Sequence, residues 1–148
     1  SHRLKSGIII GFEFIKEKNV IGFSNSAFRA ELIPEKLSIP QDVAVVDWFF
    51  YTLLLHAGHK AVFSNEMITY YRQYSDNMIG INNETLDNYK KKLALKAMHY
   101  RYLSSSFTEF EELAKKYSKE KNLTDIQVST LLQNNKITYP LWWENIKI

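Results

Sequence analysis

The segment Val45-Val46-Asp47-Trp48-Phe49-Phe50-Tyr51-Thr52-Leu53-Leu54-Leu55 constrains this chain more than any other stretch, because it is apolar on every side and holds one carboxylate near its start. An element with no polar face has to be covered all round, so this one belongs at the centre of a core. An ionised carboxylate in such surroundings is costly unless it is paired or protonated. Asp47 could bond to a backbone amide or pair with Arg29 or Arg72. It could also be a desolvated general base, or a group that holds a sugar hydroxyl. Trp48 has a similar pair of readings: a core residue, or an indole face on which a sugar ring stacks.

The 148 residues suffice for one domain with a real core. A hydrophobic fraction of 45% and an aromatic fraction of 14% exclude an intrinsically disordered chain. Lysine and arginine exceed aspartate and glutamate by 19 to 16, but the basic residues are dispersed, which argues against a nucleic-acid partner. Without cysteine there is no disulfide, thiol catalysis or cysteine-ligated zinc, and a reducing compartment fits. The apolar run is interrupted by Asp47 before reaching the roughly 18 residues a spanning helix needs, and no leader-like pattern opens the chain, so no membrane span is expected. The triplets Asn83-Glu84-Thr85 and Asn122-Leu123-Thr124 are taken as chance matches to the glycosylation signal.

Along the chain, Ile8, Ile9 and Ile10 begin abruptly, with no helix cap before them. Val20 to Arg29 alternates loosely around Gly22 and predicts a strand with a close backbone approach. Pro34 and Pro40 mark a loop. Asp42 is a plausible N-cap for a helix running to about His56 and ended by Gly58, with Asp47 about a turn and a half inside it. Ala61 to Ser64 and Met67 to Arg72 predict two short β runs around an Asn65-Glu66 turn. After Asn83 the apolar residues Leu86, Tyr89, Leu93, Ala97, Tyr100 and Leu103 recur at helical spacing, with Lys90, Lys91, Lys92 and Lys96 on the other faces. Ser106 with Glu109, and Thr124 with Gln127, predict capping boxes for two further helices. The tail, with Trp142 and Trp143, is aromatic. The fold class expected is α+β.

His56 and His59 are three apart, but Gly58 should break the helix that would align them for a metal. Phosphate loops and nucleophile elbows are absent from the sequence. Lys90 to Lys92 read as a solvated helix face, with an acidic-lipid contact as the alternative.

The order of three segments resembles the C-terminal half of the catalytic domain of family 2 glycosyltransferases, the inverting GT-A group. The first is Ala27-Phe28-Arg29-Ala30-Glu31-Leu32-Ile33, which follows a small-residue strand in that family. The second is the Asp47-Trp48 helix ending in His56-Ala57-Gly58. The third is Tyr71-Arg72-Gln73-Tyr74-Ser75-Asp76-Asn77. The likeness covers roughly Asn19 to Ile81. Three positions depart from the family pattern: Val46 stands where an acidic residue is usual, Leu53 where an arginine is, and Tyr74 where a histidine is.

The resemblance implies that Asp47 is the catalytic base, which deprotonates an acceptor hydroxyl for in-line attack on a nucleotide-sugar. It also implies that Trp48 and Asn25 wall the acceptor and that Arg72 meets the donor diphosphate. It implies a nucleotide-sugar donor, a glycan or lipid-linked acceptor, a divalent cation (Mg²⁺ or Mn²⁺) held by another part of the parent, and work in the cytoplasm near the membrane. No D-x-D motif is present. The chain therefore reads as residues 1–81 of acceptor-side transferase followed by a helical extension over 82–148. Lacking a nucleotide-binding half, it is expected to be inactive alone. Two other classes stay open: a non-catalytic helical interaction domain, and a peripheral membrane module using Lys90 to Lys92 and the tryptophan tail.

Overall fold

The structure is a computed structural model that describes residues 5–67, 70 and 85–134. These residues form two compact units. The first takes residues 5–39, 45–67 and 70, and the second takes 40–44 and 85–134.

In the first unit the apolar run becomes helix α2, Val46–His56, and seven of its residues are buried: Trp48, Phe49, Phe50, Tyr51, Thr52, Leu54 and Leu55. That burial on all sides is what its composition demands. The short helix α1, Phe12–Ile15, packs on it, and the Trp48 indole donates to the Ile15 carbonyl at 2.9 Å. Strands β1, Ile9–Ile10, and β2, Ala61–Val62, pair antiparallel, with Ile9 opposite Val62 and Ile10 opposite Ala61. Helix α2 ends as expected, since Gly58 sits just past it at a φ of +93°, a conformation that favours glycine.

Several local expectations fail for identifiable reasons. Helix α2 starts at Val46, with Val45 at the N-cap position and no side-chain cap. The Asp42 carboxylate belongs to the second unit instead, where Tyr102 and Arg101 donate to it. Val20 to Arg29 contains no strand. A 3₁₀ turn at Phe23–Asn25 and another beginning at Ala30 occupy the region, because Asn25 and Ser26 bond to the Gly22 backbone and compete with a ladder. The run expected over Ala61 to Ser64 shortens to two paired residues, and its partner is the isoleucine segment. Met67 to Arg72 falls largely outside the described residues, as does the tryptophan tail.

The second unit is helical: α3, Leu86–Ser104, α4, Glu111–Glu120, and α5, Asp125–Asn134. Thr85 caps α3 through its hydroxyl, which accepts the Asn88 amide at 3.2 Å. The Thr124–Gln127 box is present: Gln127 Oε1 accepts the Thr124 amide at 2.9 Å, and Thr124 Oγ1 accepts the Gln127 amide at 3.4 Å. At the expected Ser106 start, the Ser106 amide donates to the Leu103 carbonyl at 3.1 Å, and Phe107 takes the N-cap position. A 3₁₀ turn at Thr108–Phe110 leads into α4, and Phe110 is fully buried there. The Tyr100 ring stacks on Tyr117 at 5.1 Å, among Leu93, Ala97, Leu103 and Val128. The Lys90 ammonium pairs with Asp125 at 2.6 Å on the surface. Lys96 departs from the expected solvent face. It is buried, and its ammonium lies 3.4 Å from the Tyr117 hydroxyl and 5.1 Å from the centre of that ring, so the cation rests on an aromatic face.

His99 is buried beside it, edge-on to Tyr100. Burial, reinforced by the Lys96 charge, pulls its imidazole down to about 3. The unfolded chain therefore binds a proton near pH 6.5, and the folded chain does so only near pH 3. The stability carried by the neutral ring is whole above pH 6.5 and is lost as pH falls toward 3. At pH 5 the loss should be roughly 2 kcal/mol, at about 1.4 kcal/mol per pH unit. Denaturant titrations at several pH values check this: His99→Leu should flatten the acid slope, and an unchanged slope would assign it to other groups.

The coarse class is thus α+β, rich in helix, with one two-stranded sheet among the described residues. No helix among them is long and apolar enough to cross a membrane.

Candidate functional site

Because α2 starts later than expected, Asp47 lies in its first turn. There the backbone N–H groups have no helical partners and favour negative charge. The Trp48 amide donates to Asp47 Oδ1 at 2.7 Å, and Asn19 Nδ2 donates to the same oxygen at 3.2 Å. Asn19 must present its NH₂ here, since an ionised carboxylate only accepts. Its own Oδ1 is then buried with no partner among the described residues. Both bonds go to Asp47 Oδ1, and no described residue donates to Oδ2. One oxygen of a half-buried carboxylate is anchored and the other is left open.

The loop facing Oδ2 is shaped by Gly22. A β-carbon on Gly22 would lie 3.5 Å from Asp47 Oδ2 and 3.2 Å from Asn25 Oδ1, so both oxygens border the same point. Asn25 Oδ1 accepts the Gly22 amide at 3.0 Å, and Ser26 Oγ donates to the Gly22 carbonyl at 2.6 Å. A hydroxyl has one proton, so in the 2.5 Å contact between Ser26 Oγ and the Tyr51 hydroxyl the tyrosine donates. Tyr51 lies four residues after Asp47, one turn along the same face of α2. Burial pushes its phenol up, and the Asp47 charge adds to the rise. The phenol therefore stays a neutral donor that ties α2 to the loop.

Two aromatic rings flank this loop. Phe23 lies 5.3 Å from Phe50 and 5.6 Å from Tyr51, and Phe28 lies 5.1 Å and 6.2 Å from the same pair. Both remain substantially exposed, at 46% and 42%.

Of the residues singled out in the sequence, Asp47 and Asn25 meet at Gly22. Trp48 does not join them. It is 0% exposed, and its N–H is spent on Ile15, so it offers no face for stacking and is a core residue. Arg72 lies outside the described residues. Arg29 lies 3.7 Å from Glu31 on the surface and not against Asp47. The His56 ring packs edge-on against Phe12 at 5.0 Å. Among the described residues no group of three or more His, Cys, Asp or Glu side chains is placed to hold a metal. Asn19, Ser26 and Tyr51 were not assigned from the sequence. The four-residue spacing to Asp47 could have found Tyr51, whereas nothing local marks Asn19. No protein-family model matches the chain, and no curated protein or solved structure matches it either.

Proposed function

We propose that this chain carries the acceptor side of an inverting, GT-A type glycosyltransferase of family 2, with Asp47 as general base. The observation that supports this most is the division of labour within one carboxylate: Oδ1 is fixed by Asn19 and the Trp48 amide, and Oδ2 has no donor among the described residues. A general base needs a fixed orientation and a free lone pair within reach of the proton it takes. In the reaction proposed, the acceptor hydroxyl oxygen forms the bond to the anomeric carbon while its proton passes to Oδ2. The bond from that carbon to the diphosphate breaks, and the leaving group keeps the electron pair. Tyr51 and Ser26 hold the loop that faces the base, and Asn25 borders it.

The parent protein bearing this chain should transfer sugar from one member of a panel of nucleotide-sugars (UDP-glucose, UDP-galactose, UDP-N-acetylglucosamine, GDP-mannose), read as nucleoside diphosphate release that depends on an added glycan or lipid-linked acceptor. The isolated 148-residue chain should release none; transfer by it alone would contradict the assignment of the donor site to another part of the parent.

Gly22→Ala tests the local geometry. Gly22 has φ −100°, which alanine adopts freely. The added methyl would press on Asn25 and stand beside the open oxygen of Asp47. Stability should change by less than about 1 kcal/mol, while transfer in the parent should fall about tenfold or more because the acceptor is displaced from the base. Unchanged transfer would mean the acceptor does not approach over Gly22.

A further inference from the structure

The acceptor wall expected at Trp48 has to be built from other residues, and we infer that Phe23 and Phe28 form it, as an aromatic platform that stacks the apolar face of a pyranoside acceptor beside Asp47 Oδ2. The inference rests on the transferase reading of Asp47 and names the class of molecule that the site takes.

The rings are exposed yet held. Each packs against both Phe50 and Tyr51, which are themselves buried in α2. Rings fixed from below can receive a ligand from above without losing freedom at that moment. Phe23 follows Gly22 directly, and Gly22 is the point bordered by the open Asp47 oxygen and by Asn25. The Asn25 carbonyl oxygen is occupied by the Gly22 amide. Its NH₂, at the protein surface, has no partner among the described residues and can donate to a sugar oxygen. Ser26 has no proton left to offer, because it donates to Gly22 and accepts from Tyr51.

The surface therefore offers ring faces, one donor and one charged acceptor. A pyranoside has the complementary pattern, with an apolar C–H face and a rim of hydroxyls that both donate and accept. An acyl or prenyl chain would match the rings and leave the carboxylate and amide without partners, which is costly for desolvated polar groups.

The test uses the 148-residue chain itself, with methyl β-D-glucopyranoside and methyl β-D-galactopyranoside as probes at millimolar concentrations. Saturation-transfer NMR reports which sugar protons touch the protein, and titration of the aromatic ¹H–¹³C signals gives the affinity. At least one probe should bind with transfer concentrated on the C–H protons of one ring face. Replacing both rings (Phe23→Ala with Phe28→Ala) should weaken binding about tenfold or more. Phe28→Tyr, which keeps a ring, should retain it.

No pyranoside binding, or binding indifferent to the double replacement, overturns the inference. Retention on phospholipid vesicles that depends on the two rings, without pyranoside binding, also overturns it and assigns the rings to a lipid surface. These outcomes are separable from the transferase reading. If an Asp47→Asn parent loses transfer while sugar binding ignores the rings, the wall fails and the base stands. If binding needs the rings while Asp47→Asn still transfers, the base fails and the wall remains as a carbohydrate site.

Discussion

Trp48→Ala should destabilise the chain by about 3–5 kcal/mol, the usual cost of deleting a large buried aromatic side chain. Trp48 is among the largest fully buried side chains and has 0% exposure. It lies where α1 crosses α2, and its N–H satisfies the Ile15 carbonyl at 2.9 Å. The substitution removes that bond as well as the ring, leaving a cavity and an Ile15 carbonyl that keeps the Lys18 amide, at 3.1 Å, as a donor. For a domain with about 5–15 kcal/mol in total, this is a large part of the whole. Trp48→Phe should cost less, since it keeps most of the ring and loses the hydrogen bond. Chemical denaturation of the two variants checks the order. A loss of stability below about 1 kcal/mol in Trp48→Ala would mean that the indole is not in the core.

Asp47→Asn should have the opposite profile, with stability kept and chemistry lost. The asparagine oxygen can take the place of Oδ1 and accept from Asn19 and the Trp48 amide, so the anchor survives in neutral form. The group left in place of Oδ2 is an NH₂, which cannot receive a proton. General-base contributions of this kind are typically worth about 10²–10⁴ in rate, so transfer by the parent should fall by that much. The thermal midpoint should move by only a few degrees, the equivalent of about 1 kcal/mol. A structural carboxylate with no chemical role would give a smaller loss of activity that tracked the loss of stability.

These two neighbours show how far the sequence could be read. Hydrophobic patterning found α2 and α3, because burial of apolar residues follows from their run and spacing. Gly58 and the Thr124–Gln127 box marked a helix end and a helix start, because their effects are local. The start of α2 was misplaced because the Asp42 carboxylate is engaged by Tyr102 and Arg101, about 60 residues away in sequence, which no local rule sees. The strand expected over Val20 to Arg29 failed because side chains of Asn25 and Ser26 take up the backbone of Gly22.

The site was legible only in part. Asp47 stood out as a carboxylate in an apolar run, and its position in that run gave no hint of which oxygen would be free. That depends on Asn19, 28 residues earlier, reaching Oδ1. The pattern also could not separate Trp48 from the exposed Phe23 and Phe28, since all three are aromatic. The fold buries the indole completely, with its N–H on the Ile15 carbonyl, and leaves the two phenylalanine rings exposed. Lys96 was assigned to solvent on spacing, yet the face of Tyr117 draws its ammonium inward.

The direct test is to assay nucleotide-sugar transfer by the parent protein and by its Asp47→Asn variant side by side, with the thermal midpoint of each recorded in the same buffer. Transfer lost by about 10²-fold or more in a variant that melts within a few degrees of the parent is the result expected of a general base whose other oxygen is anchored. Full transfer by the variant, or a loss of activity explained entirely by unfolding, would contradict it and leave Asp47 as a helix-end carboxylate held by Asn19 and the Trp48 amide.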